Sequence, residues 1–202
     1  DKGQFTRKSL EAIAYARSIS EQVIALTINI SDPILLQEYG ANKIIKITDT
    51  RLSSFDAKTY AEVIQQVAES LQVNTIILPS TADTRYLAPI VAVKWGGAYL
   101  SNVSSLPKEG KVQKVIFSSK AIAWIPLAPK QIITLAGNVL EAKQAPTEAS
   151  IEDFSVEIPH KEKSIYSIER QKVSQKISIE EASIVVSGGR GMQLSLIHIS
   201  EP

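Results

Sequence analysis

The sequence predicts an α/β protein: a mostly parallel sheet flanked by helices, carrying an antiparallel extension, and followed by the opening of a second α/β domain. Three observations carry this. Short β-branched runs alternate with helically spaced apolar residues as far as Trp95, the rhythm of parallel strands joined by crossover helices. After Gly96-Gly97 the pattern changes to consecutive strand-like runs with little helix between them. Near the carboxyl end, Ser183-Ile184-Val185-Val186-Ser187 runs straight into Gly188-Gly189-Arg190-Gly191. A strand feeding a Gly-rich turn is how nucleotide-binding α/β domains begin.

Each element has its own signal. Leu10, Ile13, Ala14 and Ile19 recur at roughly helical spacing, with Gly3 and Thr6 as start signals, so residues 6–20 read as an amphipathic helix. Val23 to Ile28 is an apolar, β-branched run that fits a buried parallel strand. Ser31-Asp32-Pro33 starts a short helix that ends near Gly40, and Ile44 to Ile47 is the next strand. Tyr60, Ile64, Val67 and Leu71 form a helical stripe within 56–71. Val73 to Leu78 is again a strand, closed by Pro79-Ser80-Thr81. Arg85 to Trp95 is apolar and helical in spacing, with Pro89 expected near the first turn, where proline is tolerated. Residues 112–118, 121–125 and 131–135 read as consecutive strands, and 151–158 and 164–170 as further extended segments, together an antiparallel extension of the same sheet. Because the first helix comes almost at once, one strand ahead of it is expected to be missing.

Composition narrows the function. The 202 residues are 44% apolar and 21% charged with a net charge of +1, ordinary for a globular protein and no electrostatic case for nucleic acid or an anionic membrane. There is no cysteine, which removes disulfides, thiolate nucleophiles and cysteine-based metal or Fe–S sites. His160 and His198 are the two histidines and stand far apart, so a histidine metal site is not expected. No apolar run reaches the ~18 residues of a membrane helix, and no signal peptide is visible. No Ser/His/Asp set and no paired acid–base carboxylates emerge.

Two loops remain as candidates. In Ser187-Gly188-Gly189-Arg190-Gly191 the glycines allow a ligand close to the backbone, a following helix would offer free N–H groups, and Arg190 adds a fork of donors. The alternative is a plain strand-to-turn link. It is neither a Walker A loop nor a full G-x-G-x-x-G. Ser80-Thr81-Ala82-Asp83-Thr84-Arg85 falls at the carboxyl end of a predicted parallel strand, the edge that ligands favour. Ser, Thr and Asp also cap helices routinely, and that reading is preferred. Lys120, Trp124 and Lys130 are too few for a nucleic-acid surface and read as edge-strand residues that discourage aggregation. His160 reads as a solvated loop residue, and Trp95 as core or a partner contact.

Several stretches, in order, resemble the α subunit of electron transfer flavoprotein, the FixB-type family. They are Lys8-Ser9-Leu10-Glu11-Ala12-Ile13-Ala14-Tyr15-Ala16-Arg17, Tyr39-Gly40-Ala41-Asn42-Lys43-Ile44, Thr84-Arg85-Tyr86-Leu87-Ala88-Pro89-Ile90-Val91-Ala92 and Leu100-Ser101-Asn102-Val103. The most specific is Ile184-Val185-Val186-Ser187-Gly188-Gly189-Arg190-Gly191-Met192, close to the family's Val-Val-Val-Ser-Gly-Gly-Arg-Gly-Leu signature. The resemblance implies an α/β first domain without a cofactor role and a second domain that binds FAD. It implies that Arg190 contacts the FAD and that Gly188, Gly189 and Gly191 shape its loop. It implies a heterodimer with a β subunit. That heterodimer would be an electron carrier rather than an enzyme acting on a substrate, taking electrons from acyl-CoA and other flavin dehydrogenases to a quinone oxidoreductase. The compartment would be the bacterial cytoplasm, or the mitochondrial matrix in a eukaryote, with no membrane insertion.

The expected organisation is an N-terminal α/β domain over 1–170, a linker over 171–182, and the first strand and Gly-rich turn of a truncated FAD-binding domain over 183–192. Gln193 to Pro202 has no family counterpart and reads as a non-native tail, so the sequence is expected to be a fragment cut at both ends. One Arg and one turn cannot enclose a dinucleotide. A stand-alone α/β module that binds a nucleotide or a protein partner is the alternative.

Overall fold

The computed structural model describes residues 5–158 and 186–187. Its contacts divide the chain into two units, Asp1–Ile165 and Tyr166–Pro202. The second has only Val186, which is exposed, and Ser187 described. The extended segment expected at 164–170, the linker 171–182, Ser183 to Val185, Gly188 to Gly191 with Arg190, the tail 193–202, and both histidines lie outside the described residues.

The first unit is mixed α/β. Helix α1 spans Arg7–Ile19; Thr6 caps it, its hydroxyl oxygen accepting from the Ser9 N–H at 3.3 Å. Strand β1 (Ile24–Ile28) leads into a short 3₁₀ helix, Ile34–Tyr39, that Gly40 ends in the left-handed conformation at φ 105°. Strand β2 (Lys43–Ile47), a 3₁₀ turn at Thr50–Leu52, and helix α2 (Ala57–Ser70), capped by Asp56, follow. Strand β3 (Thr75–Leu78) feeds helix α3 (Ala82–Trp95), and Gly96 caps its end. Then come β4 (Ala98–Val103), β5 (Lys111–Ile116), β6 (Ala121–Pro126), β7 (Gln131–Leu135) and β8 (Ser150–Asp153).

The strands form two ladders where the sequence pattern predicted one. The first is three-stranded and wholly parallel, ordered β1-β2-β8; the second is five-stranded, ordered β3-β7-β4-β5-β6. In the second, β3, β7 and β4 run parallel and only β5 and β6 are antiparallel.

Three expectations change, and one strand is added. The run 131–135 is not part of the antiparallel extension: β7 returns to lie between β3 and β4, and all five of its residues are buried, as in a strand covered on both faces. β4 is a full strand, with a register shift between Leu100 and Val103 where Asn102 takes φ 57°. Residues 151–158 are not one strand; Ser150–Asp153 pairs parallel to β2, and the chain beyond is irregular. Helix α3 starts at Ala82 rather than Arg85, because Thr81 caps it in a box with Thr84 of its first turn, and this leaves Pro89 inside the helix. There Pro89 gives up the bond to the Arg85 carbonyl.

Helices bind the two ladders into one layered body. On one face α2 serves both: Val63 and Val67 pack with Ile45 and Ile47 of β2, while Ala61, Ile64 and Ala68 join α3 and Ile132 of β7. On the other face α1 serves both: Leu10 and Ile13 pack on the cluster of Ala25, Leu36 and Ile44, and Ala12 and Tyr15 pack with Leu100, Ile133 and Leu135. The alternation of Ile132 and Ile133 to opposite faces is the two-residue period of a strand.

Candidate functional site

Open α/β sheets bind ligands beyond the carboxyl ends of their parallel strands, and in this chain two sets of loops lie there. After β3, the Thr84 N–H donates to the Thr81 hydroxyl oxygen at 3.2 Å, and the Thr81 N–H to the Thr84 hydroxyl oxygen at 3.0 Å. This is a reciprocal capping box, with threonine where Glu or Gln is usual. The Thr84 hydroxyl donates to the Pro79 carbonyl at 2.7 Å. The Thr81 and Thr84 hydroxyls are thus engaged in starting α3. Asp83 and Arg85 are exposed in its first turn. The capping reading of this loop holds.

After β1 and β2 the structure has a constellation that sequence reading missed. Asn29, at φ 54°, donates from its side-chain amide to the Asp49 carbonyl at 2.9 Å, and its amide oxygen accepts from the Asp49 N–H at 2.9 Å. Arg51 grips the Asp49 carboxylate with Nε at 3.0 Å and Nη2 at 2.6 Å, and the Arg51 N–H adds a bond at 2.8 Å. The hydrogen bonds that Arg51 donates to the Asp49 carboxylate lower the Asp49 pKa, and the same bonds raise that of Arg51. Arg51 Nη1 also reaches the Ile158 carbonyl at 3.3 Å. Gln66 mimics a strand toward Glu157, donating to its carbonyl at 2.7 Å and accepting from its N–H at 2.9 Å. Arg51, Gln66, Val156, Glu157 and Ile158 line a shallow, open recess. Its Arg51 and Gln66 tie the 3₁₀ turn and α2 to the segment after β8, while Asn29 and Asp49 join the ends of β1 and β2. Asp49 and Arg51 are 2 residues apart, but Asn29 lies 20 residues from Asp49 and Ile158 lies 107 from Arg51, so no local signal marks the whole arrangement.

The remaining sequence candidates separate. Lys130 is not an edge-strand lysine: its ammonium lies 4.4 Å from the Trp95 ring centroid and donates to the Trp95 carbonyl, tying the end of α3 to the start of β7. Trp95 is core. Trp124 and Lys120 do lie on and beside the edge strand β6, both exposed. Tyr15 is fully buried; its hydroxyl donates to the Ser105 carbonyl at 2.9 Å, and burial pushes its pKa up to about 12. Among the described residues no group of three or more acidic or histidine side chains is placed to hold a metal. None of their helices is long and apolar enough to cross a membrane. The sequence candidates for contact with a flavin, Gly188, Gly189, Arg190 and Gly191, lie outside the described residues.

Comparison with known proteins agrees with the sequence resemblance. The family model described as "Electron transfer flavoprotein domain" matches residues 1–159. The electron transfer flavoprotein subunit alpha of Bacillus subtilis (strain 168) is 28% identical over 202 residues, covering 95% of this chain and 62% of that protein. The subunit of the same name from Mycobacterium leprae is 28% identical over 200 residues, with the same coverage. The lactate dehydrogenase (NAD(+),ferredoxin) subunit LctC of Acetobacterium woodii is 26% identical over 219 residues, covering 98% of this chain and 52% of that protein. The chain therefore spans at most 62% of the length of these relatives.

Proposed function

Because this chain belongs to the electron transfer flavoprotein domain family, we propose that it supplies the scaffold domain of a FixB-type α subunit. The observation that carries this is coincidence of extent. The family match, residues 1–159, covers the whole of the described α/β body. Within that body Asn29, Asp49 and Arg51 at the strand ends bond to one another and Thr81 and Thr84 cap a helix, as suits a domain that supports a cofactor site rather than containing one.

In this reading FAD is bound beyond the first unit. Arg190 donates to it, and Gly188, Gly189 and Gly191 let the backbone approach it closely. The flavin supplies the electron chemistry; the residues of this chain position it and its partner. The partner is a β subunit, and the assembled heterodimer carries electrons from acyl-CoA and other flavin dehydrogenases to a quinone oxidoreductase. It works as a carrier, in the bacterial cytoplasm or, in a eukaryote, the mitochondrial matrix. A nucleotide site at Ser80 to Arg85 has less behind it, since Thr81 and Thr84 are engaged in the cap.

Co-expression of the full-length gene product with the β subunit of the same source tests this. A yellow heterodimer is expected, and Arg190→Ala should leave the heterodimer intact while weakening its hold on FAD. A colourless full-length product, or one that does not co-purify with the β subunit, overturns the reading.

A further inference from the structure

The β5–β6 hairpin forms the end of the second ladder farthest from β3. Val112 and Ile125 pair across it and pack with Ala12 and Tyr15 of α1, so one face of the hairpin is covered. One residue along each strand, the side chains turn to the other face. That face carries the cross-strand pairs Val115 with Ile122, Gln113 with Trp124 and Lys111 with Pro126. Val115, Ile122 and Trp124 are 37%, 57% and 49% exposed, and Phe117 at the turn is 75% exposed. Together they present on the order of 400 Å² of surface, the scale at which an apolar patch marks a partner.

The turn and the charges point the same way. Phe117, Ser118 and Ser119 take φ of 51°, 53° and 69°. Three consecutive left-handed residues without a glycine are a costly arrangement. The Lys120 N–H closes this turn by donating to the Phe117 carbonyl at 3.2 Å, and Phe117 is left outside the core. From Ser104 to Gln131 the sequence has five lysines and one acid, Glu109. The hairpin is therefore locally basic although the chain as a whole carries +1. Lys111 and Lys120 stand exposed at its two ends, and neither makes an ion pair among the described residues.

We propose that this face of the hairpin is where the β subunit docks. Ile122 and Trp124 sit at the centre of the contact, and Lys111 and Lys120 at its rim. The matching surface of the β subunit is apolar at its centre and carries carboxylates around it. The inference rests on the heterodimer reading above and gives that contact a location. A permanent partner fits, because an uncovered apolar edge strand invites aggregation. A second copy of this chain does not fit: in a twofold contact the same face meets itself, which sets lysines against lysines. The hairpin supplies about half of the surface that each side of a standard interface contributes, so it is the core of the contact and not the whole of it.

The affinity of the full-length product for the β subunit, read by dilution in analytical ultracentrifugation, tests this. Trp124→Ala should weaken the heterodimer about thirtyfold or more, as truncation of a central aromatic does, and Ile122→Glu at least as much. Tyr86→Glu and Val93→Glu, at exposed positions of α3, should leave it unchanged. Lys111→Glu combined with Lys120→Glu should slow association about tenfold at low salt and little at high salt. Hydroxyl-radical footprinting needs no variant: Phe117 and Trp124 should be protected in the parent heterodimer relative to the α subunit alone. Undiminished affinity in the hairpin variants, or no protection in the heterodimer, overturns the docking site and leaves the heterodimer reading standing. Self-association, or binding to phosphatidylserine vesicles, that Trp124→Ala abolishes while the heterodimer is unaffected overturns the β subunit as the occupant. Failure of the parent to form any heterodimer overturns the reading beneath both.

Discussion

Tyr15 concentrates several physical effects in one side chain. It is completely buried, it donates to the Ser105 carbonyl, and burial holds its pKa near 12 against an ordinary value of 10.0. A group whose folded pKa lies above its unfolded one keeps its proton longer in the native state. Its stability contribution is complete below pH 10 and is lost as pH rises toward 12. The full shift corresponds to about 2–3 kcal/mol. Tyr15→Phe should cost about 1 kcal/mol at neutral pH through the lost hydrogen bond, and its alkaline unfolding should be shallower than that of the parent between those pH values. Chemical denaturation at a series of pH values reads both. Gly40 is the second residue-scale case. At φ 105° with an added Cβ only 2.9 Å from Arg17 Cγ, Gly40→Ala combines backbone strain with a clash, and a loss of about 1–2 kcal/mol is expected in thermal melts. The glycine was legible as a helix stop; the approach of Arg17 was not, since it depends on how α1 crosses the 3₁₀ helix.

Helix α3 shows how an element settles competing local signals. Its apolar residues gave its existence, and its capping threonines gave its start, but the two signals placed that start three residues apart. The cap prevails because it satisfies N–H groups left open at a helix start, at the expense of a proline in the interior. Thr81→Ala should therefore destabilise by about 1 kcal/mol. Pro89→Ala should stabilise by a comparable amount, about 1 kcal/mol or more, by restoring the bond to Arg85. Equilibrium urea unfolding of the two variants checks both signs, and a neutral Thr81→Ala would mean that the cap does not hold the helix. The β5–β6 hairpin was legible as consecutive strands. Val115, Phe117, Ile122 and Trp124 are exposed along it, which alternation alone cannot distinguish from burial.

At the scale of the whole first unit, two separate ladders act together through α1 and α2. Val63 and Ile64 are neighbours on α2 but pack into different clusters, one over β2 and one over α3 and β7. Ile64→Ala should cost about 2–5 kcal/mol and Val63→Ala somewhat less. Each should lower the midpoint of one shared cooperative transition, followed by far-ultraviolet and tryptophan signals together. Two transitions moving separately would mean that the helices do not couple the ladders.

The sequence by itself determined the α/β class, the positions of most helices and strands, the absence of cysteine chemistry and the family. These follow from residue-by-residue periodicity, from composition and from short motifs, all of which are local. Only the tertiary structure decided that β7 lies between β3 and β4, that the strands form two ladders, that Lys130 covers Trp95, and that Asn29, Asp49 and Arg51 close one end of the parallel strands. Strand order and such pairings depend on which distant segments bury one another's surfaces and satisfy one another's hydrogen bonds, and periodicity along the chain carries no record of that choice.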